Sequence, residues 1–339
     1  MWPTSRKMMP KQFVDFFGVG RSLLQQTYDR VSRIFSVENI YVSTFEDYRD
    51  LVLQQLPEVS AENVLLEPVQ LSTAPAVFWA SSVISMRDAD ARVMMTPTDQ
   101  HILDQAQFEE QVRRGLEFVG DNDSFLALGV KPSFPNTAYG YIQIADEAGE
   151  SLYRVKSFVE KPELEYARLF VDSGEFFWNT GLFLWKVPTM QRLIERVSPA
   201  VAQSAGSQDR MEELKRLKEL YPANMSRSID LMILERCEQV VVQECGFGWA
   251  DVGCWPELYQ VLPKDVDGNA VAGNSRVIFS GCRNNVVSLP DGKVAIIKDL
   301  NGYMVAQNDK VLVICPNDNP TSVRRLSDEA LMKLGAEFL

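Results

Sequence analysis

Along the first 260 residues, short apolar runs alternate with stretches in which apolar positions recur every three or four residues. NIYVST at 39–44, NVLL at 63–66, RVMMT at 92–96, SFLALG at 124–129 and VVVQ at 240–243 read as buried strands. Ser22 can cap a helix with Leu24, Tyr28, Val31 and Phe35 on one face, and a second helix is expected over 45–55. A third opens at Ser72 or Thr73, with Pro75 in its first turn and Val77, Ala80, Val83 and Ile84 inward. Further helices are expected at 105–119, 188–198, 209–220 and 226–237. Strands alternating with helices predict an α/β fold with a parallel, doubly wound sheet. From about Pro263 the pattern changes to β segments at 277–279, 285–287, 294–297, 303–305 and 311–314, separated by Gly, Asn and Asp turns, with a helix from Asp328 onward. These predict a small separate β domain, a β-helix or a barrel, that packs, positions or oligomerises rather than reacts. The expected division is therefore 1–262 and 263–339.

Within the first of these regions the densest chemistry lies at 155–185, which reads VKSFVEKP, then ELEYARLFVDSG, then EFFWNTGLFLW. Pro162 cannot donate to a ladder, so a strand ends at Glu160 and Lys161 and an amphipathic helix follows. Asn179, Thr180 and Gly181 read as a polar turn between aromatics and a second apolar strand. A carboxylate, an ammonium and an amide at strand ends suit a phosphorylated polyhydroxyl ligand. The same residues also fit a solvated ion pair beside a turn. Asp99 follows the strand at 92–96, and in doubly wound sheets ligands bind outside the carboxyl ends of strands. There it can serve as a Mg²⁺ ligand or as a turn residue. KPSFPNTAYGY at 131–141 is too rich in Pro, Asn and Gly for regular structure, and GFGWADVG at 246–253 reads as a tight loop that aims Asp251.

Charge narrows the partners. The formal net charge is -12, which disfavours nucleic acid and anionic membrane surfaces, and makes any phosphate-rich ligand depend on local Lys, Arg or metal. Cys237, Cys245, Cys254, Cys282 and Cys315 form no C-x-x-C, and His101 is the sole histidine, so a structural zinc site is not expected and cytoplasmic, reducing conditions are. No apolar run reaches the ~18 residues of a membrane span.

Nine motifs in order carry a family resemblance: W-P-x-S-R…P-K-Q-F at 2–13, L-E-P at 66–68, T-A-P at 73–75, the turn at 97–99, Y-G-Y at 139–141, F-V-E-K-P at 158–162, W-N-T-G at 178–181, S-I-D at 228–230 and F-G-W-A-D-V-G at 247–253. Together they resemble the mannose-1-phosphate guanylyltransferases. The resemblance implies a Rossmann-like doubly wound mixed sheet, the nucleotidyltransferase fold, and GTP and mannose 1-phosphate as substrates with Mg²⁺ as cofactor. It implies that Lys11 and Arg6 meet nucleotide phosphates, that Glu67, Pro68 and Ser72 lie by the nucleotide, and that Asp99 and Asp251 hold the metal. Tyr139, Gly140, Glu160, Lys161, Asn179 and Asp251 would line the sugar-phosphate pocket, with Lys11, Lys161, Asp99 and Asp251 as the catalytic set. A homodimer is one assembly open to it.

The chain departs from the family pattern at four places. It begins past the family's opening strand and G-G-x-G-x-R loop; Leu71 and Ser72 replace an Arg-Asn pair; Gln100 follows Asp99 where the family has His; and Asn136-Thr137-Ala138 replaces E-T-G. Without the opening strand, two neighbouring strands are expected to keep unpaired backbone, and the domain to unfold, so Met1 is expected to be an internal methionine of a longer frame. Two further readings stand beside the enzyme: a non-catalytic nucleotide- or sugar-phosphate-binding paralogue, and a transferase for another sugar 1-phosphate.

Overall fold

The computed structural model describes residues 1–197, 215, 219, 227–237 and 239–338. Of the expected helix at 209–220 all but residues 215 and 219 lie outside them, as does the first residue of that at 226–237. The chain forms two compact units: Met1–Asp29 with Thr98–His101 and Ala250–Leu339, and Arg30–Pro97 with Ile102–Trp249. The expected division at 262/263 falls inside the first unit. The reason is packing: Phe16 and Leu23, from the start of the chain, share a core with Trp255, Val286, Met304 and Val323.

The larger unit is built from α1 (Leu23–Val31, shared with the smaller), β1 (Val42–Phe45), α2 (Arg49–Gln55), β2 (Val64–Glu67), α3 (Thr73–Ser85) and β3 (Arg92–Met95). Then come α4 (Gln105–Asp121), β5 (Phe125–Val130), β6 (Gly140–Gly149), β7 (Leu152–Val159), α5 (Leu164–Ser173), β8 (Phe176–Lys186), α6 (Val187–Val197), a helix Ile229–Arg236 and β9 (Val240–Cys245), whereas most of β4 (Gln100–Ile102) and of β10 (Trp249–Asp251) belongs to the smaller unit. Six strands form one mixed sheet in the order β3-β8-β5-β9-β7-β6, and β6 pairs also with β8, so that β8, β5, β9, β7 and β6 close a ring. Among the described residues only β5 and β9 run parallel in that sheet and its other ladders are antiparallel, which corrects the parallel sheet expected from the alternation of strands and helices.

Alternation explains why the central strands are apolar throughout. Phe125, Ala127, Phe177, Phe183, Trp185, Val240 and Val242 face one core, with α3 and the helix Ile229–Arg236, whereas Leu126, Leu128, Trp178, Leu184 and Val241 face the other, with α4. β3 has the same two-faced character, Val93 and Met95 toward one core and Met94 toward the other, but these side chains are only half-buried. Among the described residues β3 pairs only with β8, and β1 only with β2, in a separate two-stranded parallel sheet. Each therefore has one bare edge.

One expectation is corrected here. Asn179-Thr180-Gly181 is not a turn between two strands but the middle of β8. The strand bulges: its partners jump from Ala127↔Phe183 to Gly129↔Asn179. Gly181 takes φ +70°, a left-handed value that suits glycine, and buried Thr180 bridges the irregularity. Its hydroxyl donates to the Leu128 carbonyl at 2.6 Å and accepts from the Leu182 amide at 3.2 Å.

The smaller unit carries a helix Trp255–Val261 and then parallel rungs: β11 (Ala270–Ala272), β13 (Val286–Ser288) and β15 (Tyr303–Gln307) stack in one sheet, β12 (Arg276–Ser280) and β14 (Val294–Lys298) in another. Of the two forms expected, this is the β-helix arrangement. Buried Asn285 donates to Asn269 Oδ1 (2.8 Å) and to the Leu300 carbonyl (2.7 Å), which satisfies corner groups that water cannot reach. β16 (Leu312–Pro316) closes the first sheet antiparallel to β15. The closing helix spans Pro320–Leu334, eight residues earlier than expected at its start, because Asn319 caps it, accepting from the Thr321 amide at 2.9 Å, and Pro320 occupies its first turn. No described helix is long and apolar enough to cross a membrane.

Candidate active site

In the smaller unit Pro10 opens a single 3-10 turn, Lys11–Phe13, and the Lys11 ammonium reaches Asp99 Oδ2 at 2.8 Å and donates to the Val252 carbonyl at 3.1 Å. The Val252 amide in turn donates to the Asp99 carbonyl at 2.9 Å, which fixes the two acidic segments side by side. Burial works against the Lys11 charge, but the carboxylates of Asp99, Asp251 and Glu257 outweigh it and hold its pKa above the ordinary lysine value of 10.5. Glu257 is not reached by sequence reasoning. Its Oε2 accepts from the Gly253 and Cys254 amides, both at 3.0 Å. The spacing Cys254-Trp-Pro-Glu257 is the signature of a helix start, and that signal alone marks it. A Cβ on Gly253 would stand 2.7 Å from Glu257 Oε2 and 3.2 Å from Asp251 Oδ2, so both carboxylates come close to the backbone of this loop. Burial, with Glu257 beside it, pushes the Cys254 thiol up to about 12, and it stays protonated at neutral pH rather than acting as a nucleophile.

In the larger unit Glu160 and Lys161 follow the end of β7, and Lys161 Nζ lies 3.3 Å from Glu160 Oε1 with both side chains about half exposed, 62% and 45% respectively for Lys161 and Glu160. Such a pair contributes little to stability. Yet Lys161 holds a left-handed backbone, φ +44°, which costs energy in a residue with a Cβ and is the kind of strain found at ligand sites. Gly140 pairs with Asn179 across β6 and β8. A Cβ on Gly140 would meet the Phe158 ring at 2.8 Å and Glu160 Oε2 at 3.0 Å, so Glu160 lies directly over this backbone. Glu160, Lys161, Gly140 and Asn179 thus form one cluster, to which Asp230 is joined by a 2.7 Å hydrogen bond from Asn179 Nδ2.

The remaining sequence candidates are placed otherwise. Tyr139 is 7% exposed and packs edge-on against Trp178 and Trp249, a core position that offers a ligand little surface. Arg6 lies 3.9 Å from Asp309, beside the rungs of its own unit. Glu67 ends β2 and accepts from the Ser43 hydroxyl at 3.0 Å, with Pro68 directly after it, and Ser72 is the residue before the first turn of α3. His101 stacks on Phe17 at 4.3 Å between ring centres.

Residues 1–268 match the family model described as nucleotidyl transferase. The chain belongs to the nucleotidyl transferase family. A xanthan biosynthesis protein XanB of Xanthomonas campestris pv. campestris (strain B100) is 32% identical, over 92% of this chain and 67% of that protein. A mannose-1-phosphate guanylyltransferase of Klebsiella pneumoniae is 30% identical, over 93% of this chain and 68% of the other. The crystal structure of a protein described as a mannose-1-phosphate geranyltransferase from Thermus thermophilus superposes with a TM-score of 0.86 at 28% identity, covering 97% of this chain and 95% of that one. The resemblance read from the motif order is therefore the relation that whole-chain similarity also gives.

Nucleotidyl transferases of this family generally use a divalent metal. Among the described residues no three His, Cys, Asp or Glu side chains come together as ligands. Asp99 and Asp251 both act on the Lys11 ammonium, and the loop that Gly253 keeps clear of side-chain bulk lies beside Asp251. An oxygen-only pair of this kind fits a hard cation whose coordination is completed by phosphate oxygens and water.

Proposed function

We propose that this nucleotidyl transferase moves the guanylyl group of GTP to mannose 1-phosphate, giving GDP-mannose and diphosphate, in the cytoplasm and with Mg²⁺. The observation that carries the reading is the Lys11 ammonium held on Asp99 with Asp251 beside it. This is a charged set suited to phosphate chemistry, and it supplies a local cation in a chain of net charge -12. The choice of guanine and mannose rests on the names that relatives about 30% identical carry.

An oxygen of the sugar phosphate, already anionic, attacks the α-phosphorus of GTP; the new P–O bond forms as the bond to the β-phosphate oxygen breaks, and pyrophosphate leaves with the electron pair. No side chain needs to remove a proton. Asp99 and Asp251 would hold the metal, which when bound neutralises phosphate charge and polarises the phosphorus. Lys11 meets the nucleotide phosphates and stabilises the leaving oxygens. Lys161 receives the phosphate of the sugar, and Glu160 and Asn179 take its hydroxyls.

The test is pyrophosphate release by the purified protein given GTP, mannose 1-phosphate and Mg²⁺, run beside a panel of other nucleoside triphosphates and sugar 1-phosphates. Turnover with GTP and mannose 1-phosphate upholds the reading. Turnover confined to another pair reassigns the substrates, and no turnover with any pair overturns the activity. Asp251→Ala is expected to lower turnover by on the order of 100-fold or more with an unchanged circular dichroism spectrum.

A further inference from the structure

The motif S-I-D at 228–230 takes no part in the reaction as proposed, yet the structure surrounds it with more directed hydrogen bonds than its place on a helix start requires. Ser228 caps the helix Ile229–Arg236, accepting from the Asp230 amide at 3.2 Å, and its hydroxyl donates to Asp230 Oδ2 at 2.7 Å. The other carboxylate oxygen, Oδ1, accepts from Asn179 Nδ2 at 2.7 Å. Both oxygens of Asp230 are thus engaged, one on its own helix and one on β8.

On the other side of that contact, Asn179 Oδ1 accepts from the Gly181 amide at 3.1 Å. The two bonds together fix which end of the Asn179 amide is which: rotating it by half a turn would set its oxygen against the carboxylate and its NH₂ against an N–H donor. One N–H and one lone pair remain for a ligand. The anchor is itself tied down. The Ile229 amide donates to the Thr73 hydroxyl at 2.9 Å, and the Ala74 amide donates to the Arg227 carbonyl at 3.0 Å, so the S-I-D turn is bonded to the first turn of α3, where T-A-P begins.

We propose that Asp230 is a positioning residue for the sugar 1-phosphate. It acts through Asn179, whose amide it holds in a single orientation beside Gly140 and Glu160, and through Ser228, Ile229 and Thr73 it ties that orientation to the first turn of α3. The inference rests on the functional reading above, because it assigns Asn179 to the sugar.

Steady-state kinetics on four variants test it. Asp230→Ala is expected to raise KM for mannose 1-phosphate roughly tenfold, the effect of one charge-assisted hydrogen bond, with KM for GTP within about twofold of wild type. Asp230→Asn keeps an acceptor for Asn179 and a donor for Ser228, and is expected to restore most of the loss. Asn179→Ala should reproduce the Asp230→Ala defect, and the double variant should be no worse than either alone. Additive losses, an unchanged KM for the sugar phosphate, or equal rises in both KM values with a lowered melting temperature would each overturn the proposal. A ligand-free readout separates this from the functional reading: the side-chain amide resonance of Asn179 should shift in Asp230→Ala and hold in Asp230→Asn. A wild type that neither binds nor turns over any sugar 1-phosphate overturns the functional reading and the role of Asn179 with it, whereas an amide resonance unmoved by Asp230→Ala overturns the positioning itself.

Discussion

Lys11 is the side chain on which the acidic segments of the smaller unit converge. Its raised pKa means that its pairing with Asp99 contributes stability in full below the ordinary lysine value of 10.5, and that this contribution is lost only as pH rises through the higher folded value. Urea unfolding of wild type and Lys11→Met should therefore show a stability difference that is flat from neutral pH to about 10 and declines above it. A difference that falls already between pH 7 and 9 would refute the assignment. Lys11, Asp99 and Asp251 are legible because their motifs lie in family order along the chain. Glu257 and Asp230 are not, since their work is to hold other groups: a capping box and a capped helix start account for their spacing, and nothing in the sequence says what lies across from them. Tyr139 and Arg6 belong to motifs as well, and membership of a motif does not say which way a side chain turns.

β8 shows how far an element can be read from its pattern. FFWNTGLFLW contains the polar, glycine-ended triplet of a turn, yet the chain continues straight because Thr180 supplies the donor and acceptor that the bulge leaves unpaired. Thr180→Val keeps the shape, removes both bonds and leaves a buried carbonyl without its donor. A loss of roughly 2 kcal/mol is expected in urea unfolding, and the altered bulge should also weaken sugar-phosphate binding through Asn179. Unchanged stability would mean that water replaces the hydroxyl. The long elements, such as α3, α4 and the central strands, are legible in their apolar period. β4, β10 and β11 are three residues each, too short for a period of two to declare itself, and the start of the closing helix is hidden because the Asn-Pro that opens it resembles a turn.

For the molecule as a whole, the division into units matters more than the boundary between sequence styles. Trp255 Nε1 donates to the Trp2 carbonyl at 3.0 Å, Asn308 Nδ2 to the Pro3 carbonyl at 2.9 Å, and Trp2 Nε1 to the Phe338 carbonyl at 3.0 Å. The start of the chain, Lys11 included, is thus fastened to its last eighty residues. Cutting after residue 262 is expected to uncover Phe16, Leu23 and Trp255, and to leave a product that is digested from its N-terminus by trypsin and does not turn over, while the full chain resists. A truncated protein with normal activity would show that the β rungs are dispensable for Lys11. The sequence marks those rungs well but does not show what they grip, because the contacts span some 250 to 340 positions. The closed circuit of β8, β5, β9, β7 and β6 has its own consequence for deuterium uptake. A strand inside a circuit cannot fray from a free side, so its amides are released only when the circuit opens as one event, and the slowest-exchanging amides should lie in β5, β8 and β9. β1 and β3, each open along one side, should take up deuterium orders of magnitude sooner. The least protected backbone of the larger unit would then border its most protected, separated by a single ladder between β3 and β8.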